Sequence, residues 1–191
     1  MVIIRTETEI QKGPRFVEEA GLVERTASKL AKSLKKATIV GSKFPELTAR
    51  SLAGNIVTLP DAGEGKICLI GIAFERRAQD MLDSWFEPFE REFGDSPVFS
   101  VYEVPMVGPH WNFFSLIIDS GMRGGIPAEK HNYVLTLYED YSKYQELLDM
   151  EDRDLAYIFL LDKKGVISWK GKGYAESGNL RELIEAASLL L

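Results

Sequence analysis

Cysteine and histidine are the residue types that this chain has least of. Its 191 residues include one cysteine, Cys68, and two histidines, His110 and His131. A single cysteine cannot form an internal disulfide, so nothing in the sequence requires an oxidising compartment, and dithiol chemistry, which needs two cysteines, is disfavoured. Because no ligand spacing typical of a metal site is present, we predict that the chain holds no metal and no cofactor.

Long hydrophobic runs and an excess of positive charge are also missing. No apolar run approaches the roughly 18 residues of a membrane span, and the first residues lack the basic and apolar regions of a signal peptide. A net charge of -6 disfavours nucleic acid as a partner. The 45% apolar and 27% charged residues are typical of a globular domain. We therefore expect a soluble, cytoplasmic protein that binds no nucleic acid.

The first 42 residues predict a helical extension. A helix is expected from Pro14, because proline suits the first turn, to about Ala37. Lysines crowd its end beside a modest apolar face, at Lys29, Lys32, Lys35 and Lys36. These lysines either complement the helix macrodipole or form a basic surface for an anionic membrane or an acidic partner. Peripheral membrane contact through residues 15–37 is therefore one expectation.

A buried strand feeds directly into a long helix in the middle of the chain. The nearly unbroken apolar run at residues 66–73 predicts a central strand covered on both faces. Cys68 lies within it and is predicted to point into packing, since reactive thiols need partial exposure. Arg76 and Arg77 then occupy the first helical turn, where cations oppose the helix dipole. They are either ordinary surface arginines or contacts for an anion or a partner.

Strands and helices alternate along the remaining sequence. Turn residues at Gly54-Asn55 predict a hairpin or a loop, and those at Asp162–Gly165 predict a hairpin. The alternation indicates a layered α/β domain over residues 43–191, and the second hairpin makes its sheet mixed. The further predicted elements are strands at 97–104, 132–138 and 155–161, and helices at 111–122, 139–149 and 180–191, with a turn at Arg123-Gly124-Gly125.

Residues 43–191 also resemble a known family. The matching features are Phe74 through Phe89, then Val101–Val104, and most specifically Tyr157–Asp162 followed by Gly165–Trp169. In their order and spacing these segments resemble the mitochondrial ATP synthase assembly factor called the ATP ten protein, a thioredoxin-like group with bacterial and archaeal relatives.

The resemblance implies a thioredoxin-like mixed central sheet flanked by helices, here with an extra N-terminal helix. Thioredoxin-like folds place their reactive cysteines where the strand enters its helix, and no cysteine occurs between Phe74 and Gln79. Redox relatives also hold a cis proline before the later central strand, where this chain has Arg153-Asp154-Leu155. The resemblance therefore implies a redox-inactive, chaperone-like protein whose partner is a membrane-complex subunit.

Two classes of function follow from these observations. The first is a non-catalytic binding or assembly protein whose contact residues we predict to be Arg76, Arg77, Arg123, His131 and Trp169. The second is an enzyme or small-ligand protein that uses a cleft near His110, Glu103 and His131. A thiol peroxidase based on Cys68 is a weaker form of the second class.

Two further segments have more than one interpretation. Lys170–Gly173 offers donors for a phosphate but lacks the glycine-rich signature before a helix, so a flexible loop is favoured. Trp111, together with Phe113 and Phe114, supplies either an exposed aromatic contact or core packing.

Overall fold

The computed structural model describes residues 25–27 and 39–191, apart from the side chains of Asn112 and Phe114. Residues 25–27 are helical and exposed, and the rest of the predicted N-terminal helix, with its lysines, lies outside the described residues. Thr38–Leu191 forms one compact unit. The division into an extension over residues 1–42 and a domain over 43–191 stays a prediction.

Between residues 40 and 191, the described part of this unit forms two β-sheets and four α-helices. The strands are β1 (Leu47–Ser51), β2 (Ile56–Leu59), β3 (Ile67–Ala73), β4 (Phe99–Pro105), β5 (Leu135–Thr136), β6 (Tyr157–Leu161) and β7 (Ile167–Lys172). The helices are α1 (Gln79–Phe93), α2 (Ser115–Gly125), α3 (Ser142–Leu147) and α4 (Ser177–Ser188). The larger sheet has the order β4-β3-β6-β7, and the smaller one the order β2-β1-β5. Because β3 is parallel to β4 and antiparallel to β6, the predicted mixed sheet is confirmed.

Strand β3 is the centre of the larger sheet because all seven of its residues are buried. Its side chains alternate between two cores, as the twofold period of a strand requires. Ile67 and Leu69 pack into the core beneath α1 and α4, whereas Cys68, Ile70 and Ile72 pack into the core shared with the smaller sheet and α3. A near-continuous apolar sequence is what a strand covered on both faces needs.

Helix α1 packs closely on β3 because Gly71 has no side chain. A Cβ atom at Gly71 would lie 2.3 Å from Phe86 Cζ and 2.7 Å from Leu82 Cδ2. The apolar face of α1 therefore meets the sheet directly, and Pro88 lies within one helix that runs to Phe93. This contact fixes where α1 starts relative to the carboxyl end of β3.

The structure differs from the predicted elements mainly between residues 111 and 149. The glycines expected to form a turn at Arg123-Gly124-Gly125 are the last residues of α2. The strand predicted at 132–138 shrinks to β5 and two isolated parallel bridges to β4 and its end, Glu103 to Val134 and Met106 to Leu137. Residues 133–137 lie along the outer edge of β4, although little of this segment is regular strand. Backbone hydrogen bonds such as those from Glu103 N to the Tyr133 carbonyl and from Leu137 N to the Pro105 carbonyl join the two. Within the described part of the chain, no helix is both long and apolar enough to cross a membrane.

Candidate functional site

The junction between β3 and α1 is a short, well-packed turn. After β3 the chain passes through Phe74 and Glu75 into a single 3-10 turn, Arg76–Ala78, and then into α1. Phe74 packs edge-on against Tyr141, with ring centroids 5.2 Å apart. The neighbouring charged side chains of this turn, by contrast, are exposed.

Two reciprocal ion pairs join this turn to the loop before β6. The Arg77 guanidinium pairs with the Asp154 carboxylate, and Arg153 Nη2 lies 3.7 Å from Glu75 Oε1. Each loop therefore supplies one cation and one anion. The Arg153 guanidinium also lies over the Tyr141 ring, 5.8 Å from its centroid. These ion pairs connect the turn at residues 75–77 to the loop at residues 153–154. Neither segment contains a cysteine or a proline.

We expect the Arg77–Asp154 pair to contribute about 0.2–1 kcal/mol to the free energy of unfolding, since both side chains are more than 60% exposed. A double-mutant cycle with Arg77→Ala and Asp154→Ala, measured by urea unfolding, gives this coupling energy. The coupling should fall at high salt because exposed charges are screened. A coupling energy that does not change with salt would contradict this assignment.

A large groove opens beside the same junction. It has a volume of about 1120 Å³ and lies between α1 and β4 on one side and α2 with the following residues 126–134 on the other; we call it the α1–α2 groove. Its lining combines apolar side chains with seven carboxylates and two cations. The carboxylates are those of Glu75, Asp80, Asp83, Glu87, Glu90, Glu103 and Glu129, and the cations are Arg76 and Lys130.

One of the two cations is already neutralised by a groove carboxylate. Lys130 Nζ donates to both carboxylate oxygens of Glu90, at 2.8 and 2.7 Å. This ion pair connects α1 to the segment after α2 across the groove. The two walls of the groove are therefore joined by this ion pair. Six carboxylates and Arg76 remain outside the pair, so the lining is still strongly acidic.

Glu103 is a partly buried carboxylate of the groove lining. It stands opposite Gly71 in the β3–β4 register and points towards the start of α1, where Gln79 Nε2 donates to Glu103 Oε2 at 3.4 Å and to Asp83 Oδ1 at 3.0 Å. Burial raises the pKa of Glu103 above its ordinary value, and the nearby Asp83 raises it further. The Gln79 hydrogen bond and the charge of Lys130 act in the opposite direction.

Replacing Glu103 by glutamine is expected to raise the free energy of unfolding at neutral pH. The folded chain binds a proton at Glu103 more tightly than the unfolded chain does, so the native glutamate loses stability as the pH rises above its ordinary pKa of 4.5. The gain in the variant should be about 1.4 kcal/mol for each unit by which folding raises this pKa. Urea unfolding of both proteins across the pH range measures it.

The difference between Glu103→Gln and the native chain should disappear below pH 4.5, where the native side chain is protonated in both states. Asp95→Asn, at an exposed position outside the groove lining, is the matched control. If Glu103→Gln raises the free energy of unfolding by the same amount below pH 4.5 as at neutral pH, the burial of a charged carboxylate is not the cause of the stabilisation.

The structure does not gather the five predicted contact residues into one patch. Arg76 lines the groove, whereas Arg77 is taken up by its ion pair. Arg123 Nη1 donates to the Leu52 carbonyl at 3.0 Å, and the His131 ring bonds the Ile126 carbonyl at 2.8 Å. Trp169 packs against Trp85, with ring centroids 5.4 Å apart. Their role as a binding surface stays a prediction, and only Arg76 lies in the groove.

The three residues of the alternative cleft do not line one groove. Glu103 lines the α1–α2 groove, but neither histidine does. His110 is exposed in the 3-10 helix Pro109–Phe114, while the His131 ring is held by a backbone carbonyl. Among residues 25–27 and 39–191, no group of three or more histidine, cysteine, aspartate or glutamate side chains is placed to hold a metal ion.

Cys68 is buried, as its position in β3 predicts. Its side chain is 2% exposed, and desolvation raises the pKa of the thiol to about 11, although Lys66 lowers it slightly. A thiol with this pKa is almost entirely protonated near pH 7, and the thiolate is the nucleophilic form. Cys68 thus has the properties of a packing residue.

The groove was not predicted, because its walls come from segments far apart in sequence. One local signal was present in α1, where the carboxylates Asp80, Asp83, Glu87 and Glu90 recur at helical spacing. Residues three and four apart share a helix face, so this spacing predicts an acidic stripe beside the apolar one. What faces that stripe is determined only by the position of α2.

Comparison with solved structures shows the fold of this chain. A putative thiol:disulfide interchange protein DsbE from Chlorobium tepidum is 15% identical, with a TM-score of 0.55 over 79% of this chain and 96% of that one. The exposed lipoprotein thioredoxin Etrx1 from Streptococcus pneumoniae is 14% identical, with a TM-score of 0.54 over 76% and 100% of the two chains. These likenesses confirm the predicted thioredoxin-like fold. No curated protein matches the chain.

The family can be assigned from sequence. The model of the family described as ATP10 protein matches residues 31–190, which is most of the chain. This match confirms the family predicted from the segments between Phe74 and Trp169. The chain belongs to the ATP10 protein family.

Proposed function

We propose that this protein is a non-catalytic assembly factor that binds a protein subunit of a membrane ATP synthase complex in a chaperone-like manner. The observation that carries the proposal is the replacement of a thiol site by two reciprocal ion pairs, beside a groove of about 1120 Å³. The scaffold thus offers a binding surface at the position where its redox relatives carry cysteines.

The chemistry of the junction supports a binding role. At this junction Arg77 pairs with Asp154 and Arg153 with Glu75, and these exposed side chains supply no nucleophile that can attack a disulfide or a peroxide. The single thiol lies inside the sheet with a raised pKa. A protein that acts by binding needs neither a reactive thiol nor another nucleophile at this junction.

Membership of the ATP10 family supports the choice of partner, because the family is associated with ATP synthase assembly. We propose that the protein works in the cytoplasm next to the membrane, with residues 15–37 as a peripheral contact. Cell fractionation with antibody detection tests the location. Recovery of the protein in a secreted fraction would contradict it.

Deletion and complementation test the function. In the organism that encodes this chain, deleting the gene should lower the amount of assembled ATP synthase seen on native gels, and the native gene should restore it. Cys68→Ala should restore assembly as well as the native chain does, since the buried thiol takes no part.

Two outcomes would overturn this proposal. The first is a deletion strain with the normal amount of assembled ATP synthase. The second is failure of Cys68→Ala to restore assembly although the variant unfolds at nearly the native urea concentration, which would indicate thiol chemistry. Ser100→Ala, another buried position of the larger sheet, is the control for packing changes.

A further inference from the structure

We propose that the α1–α2 groove binds a cationic amphipathic segment of the partner, in which lysine or arginine side chains flank large apolar ones. This inference rests on the proposed function and specifies the chemistry of the segment that is recognised. Three independent properties of the groove support it: its size, its charge and the exposure of its apolar side chains.

The size of the groove fits a peptide segment. Pockets for drug-sized ligands measure about 300–1,000 Å³, and this groove, at about 1120 Å³, is larger. Two turns of an α-helix, treated as a cylinder 10–12 Å across and 5.4 Å per turn, occupy on the order of 1,000 Å³. The volume of the groove is therefore comparable to that of about two helical turns.

The charge of the groove selects a cationic segment. Seven carboxylates line it against two cations, and Lys130 is already paired with Glu90. Along α1, four carboxylates recur three or four residues apart, a spacing at which like charges repel one another and destabilise the helix. A partner that places cations between α1 and α2 relieves this repulsion, whereas an acidic partner increases it.

Helix α2 exposes an apolar side chain on the groove wall. Ile117 is 71% exposed, whereas Asp119 is buried and accepts a hydrogen bond from the Tyr138 hydroxyl at 2.6 Å. Ile117 lines the groove together with Ile118 and Met122. A helix that exposes Ile117 while it buries a carboxylate has an apolar surface available for a partner.

Synthetic peptides provide the test. A fluorescein-labelled amphipathic peptide of leucine and lysine is titrated with the full-length chain, and binding is followed by anisotropy. Two matched peptides carry glutamate in place of lysine or serine in place of leucine. We expect the leucine–lysine peptide to bind at least about tenfold more tightly than either matched peptide.

Variants place the binding in the groove. The variant Asp80→Asn/Glu87→Gln/Glu129→Gln removes three exposed groove carboxylates. It should lower the affinity for the leucine–lysine peptide at least about tenfold. Glu64→Gln/Glu92→Gln/Glu182→Gln removes the same charge from exposed positions outside the groove and should change binding less than about twofold.

A second pair of variants tests the apolar wall of the groove. Ile117→Ser should weaken binding of the leucine–lysine peptide, whereas Leu189→Ser, at an exposed leucine outside the groove, should not. Urea unfolding of both variants shows whether they remain folded. Equal loss of binding in both would contradict a role for the groove wall.

Several results would overturn the inference. They are absence of binding to the leucine–lysine peptide, equal binding of the glutamate peptide, or equal weakening by the groove variant and its control. If the native chain sediments as a dimer and the groove variant as a monomer, the groove is occupied by a second copy of this chain, which would also contradict the inference. In each case the complementation experiment still decides the assembly role separately, because it does not depend on where or by what charge the partner is held.

Discussion

Replacing Lys170 by methionine is expected to lower the free energy of unfolding by about 3–5 kcal/mol, as does the loss of one partner from a buried ion pair. Lys170 lies on β7 with its side chain 7% exposed. Its Nζ donates to the carbonyl oxygens of Leu148 and Asp149, at 2.7 and 2.9 Å, and lies 3.4 Å from Asp149 Oδ2.

The cost of Lys170→Met comes from the groups left behind. Helix α3 ends at Leu147, and the lysine ammonium satisfies the carbonyls just after this end. Methionine retains most of the length of the side chain but donates no hydrogen bond. The substitution therefore leaves two backbone acceptors and one carboxylate without this donor in a mostly buried region.

Urea unfolding at neutral pH measures the effect of Lys170→Met, and Lys172→Met is the control. Lys172 is on the same strand and exposed, so its substitution should change the free energy of unfolding by less than about 0.5 kcal/mol. A loss below about 1 kcal/mol for Lys170→Met would mean that water replaces the ammonium, and it would contradict the structural role assigned to it.

Replacing Trp85 by alanine is expected to cost about 3–5 kcal/mol as well, but for a different reason. Trp85 is fully buried between α1 and the sheet, and its ring packs against Trp169. Its indole Nε1 donates to the Gly173 carbonyl at 2.7 Å. Truncation removes a large apolar side chain, leaves a cavity, and frees a carbonyl at the end of β7.

Two further variants separate the contributions of Trp85. Trp85→Phe keeps much of the ring but loses the hydrogen bond, so it should cost less than Trp85→Ala. Tyr174→Ala removes an exposed ring next to Gly173 and should cost about 0.5 kcal/mol or less. Urea unfolding followed by circular dichroism measures all three, and equal costs for Trp85→Phe and Trp85→Ala would assign the whole effect to the hydrogen bond.

Elements with a strong local pattern were predicted correctly from the sequence. Strands β3 and β6 were recognisable as apolar runs, and all seven residues of β3 and all five of β6 are buried. In α1 the apolar residues Leu82, Trp85, Phe89 and Phe93 recur at helical spacing in the sequence, and all four are buried. Such patterns report burial directly, since only a covered element can be apolar on its inward positions.

Elements with weak local signals were predicted less well. The glycines at the end of α2 resemble a turn, yet they continue the helix. Lys170–Gly173 resembles a flexible loop, whereas Lys170 is buried in β7. At Lys170 tertiary contacts outweigh local propensity, because its bonding partners lie more than twenty residues away in sequence.

The sequence by itself determined the class of fold, the family and the burial of Cys68, because periodic apolar patterns and ordered motifs are local properties. Only the tertiary structure decided which charges meet. It paired Arg77 with Asp154, buried Lys170 against the end of α3, and set the acidic face of α1 opposite α2. Electrostatic contacts depend on distances between segments remote in sequence, and those distances exist only after the chain has folded.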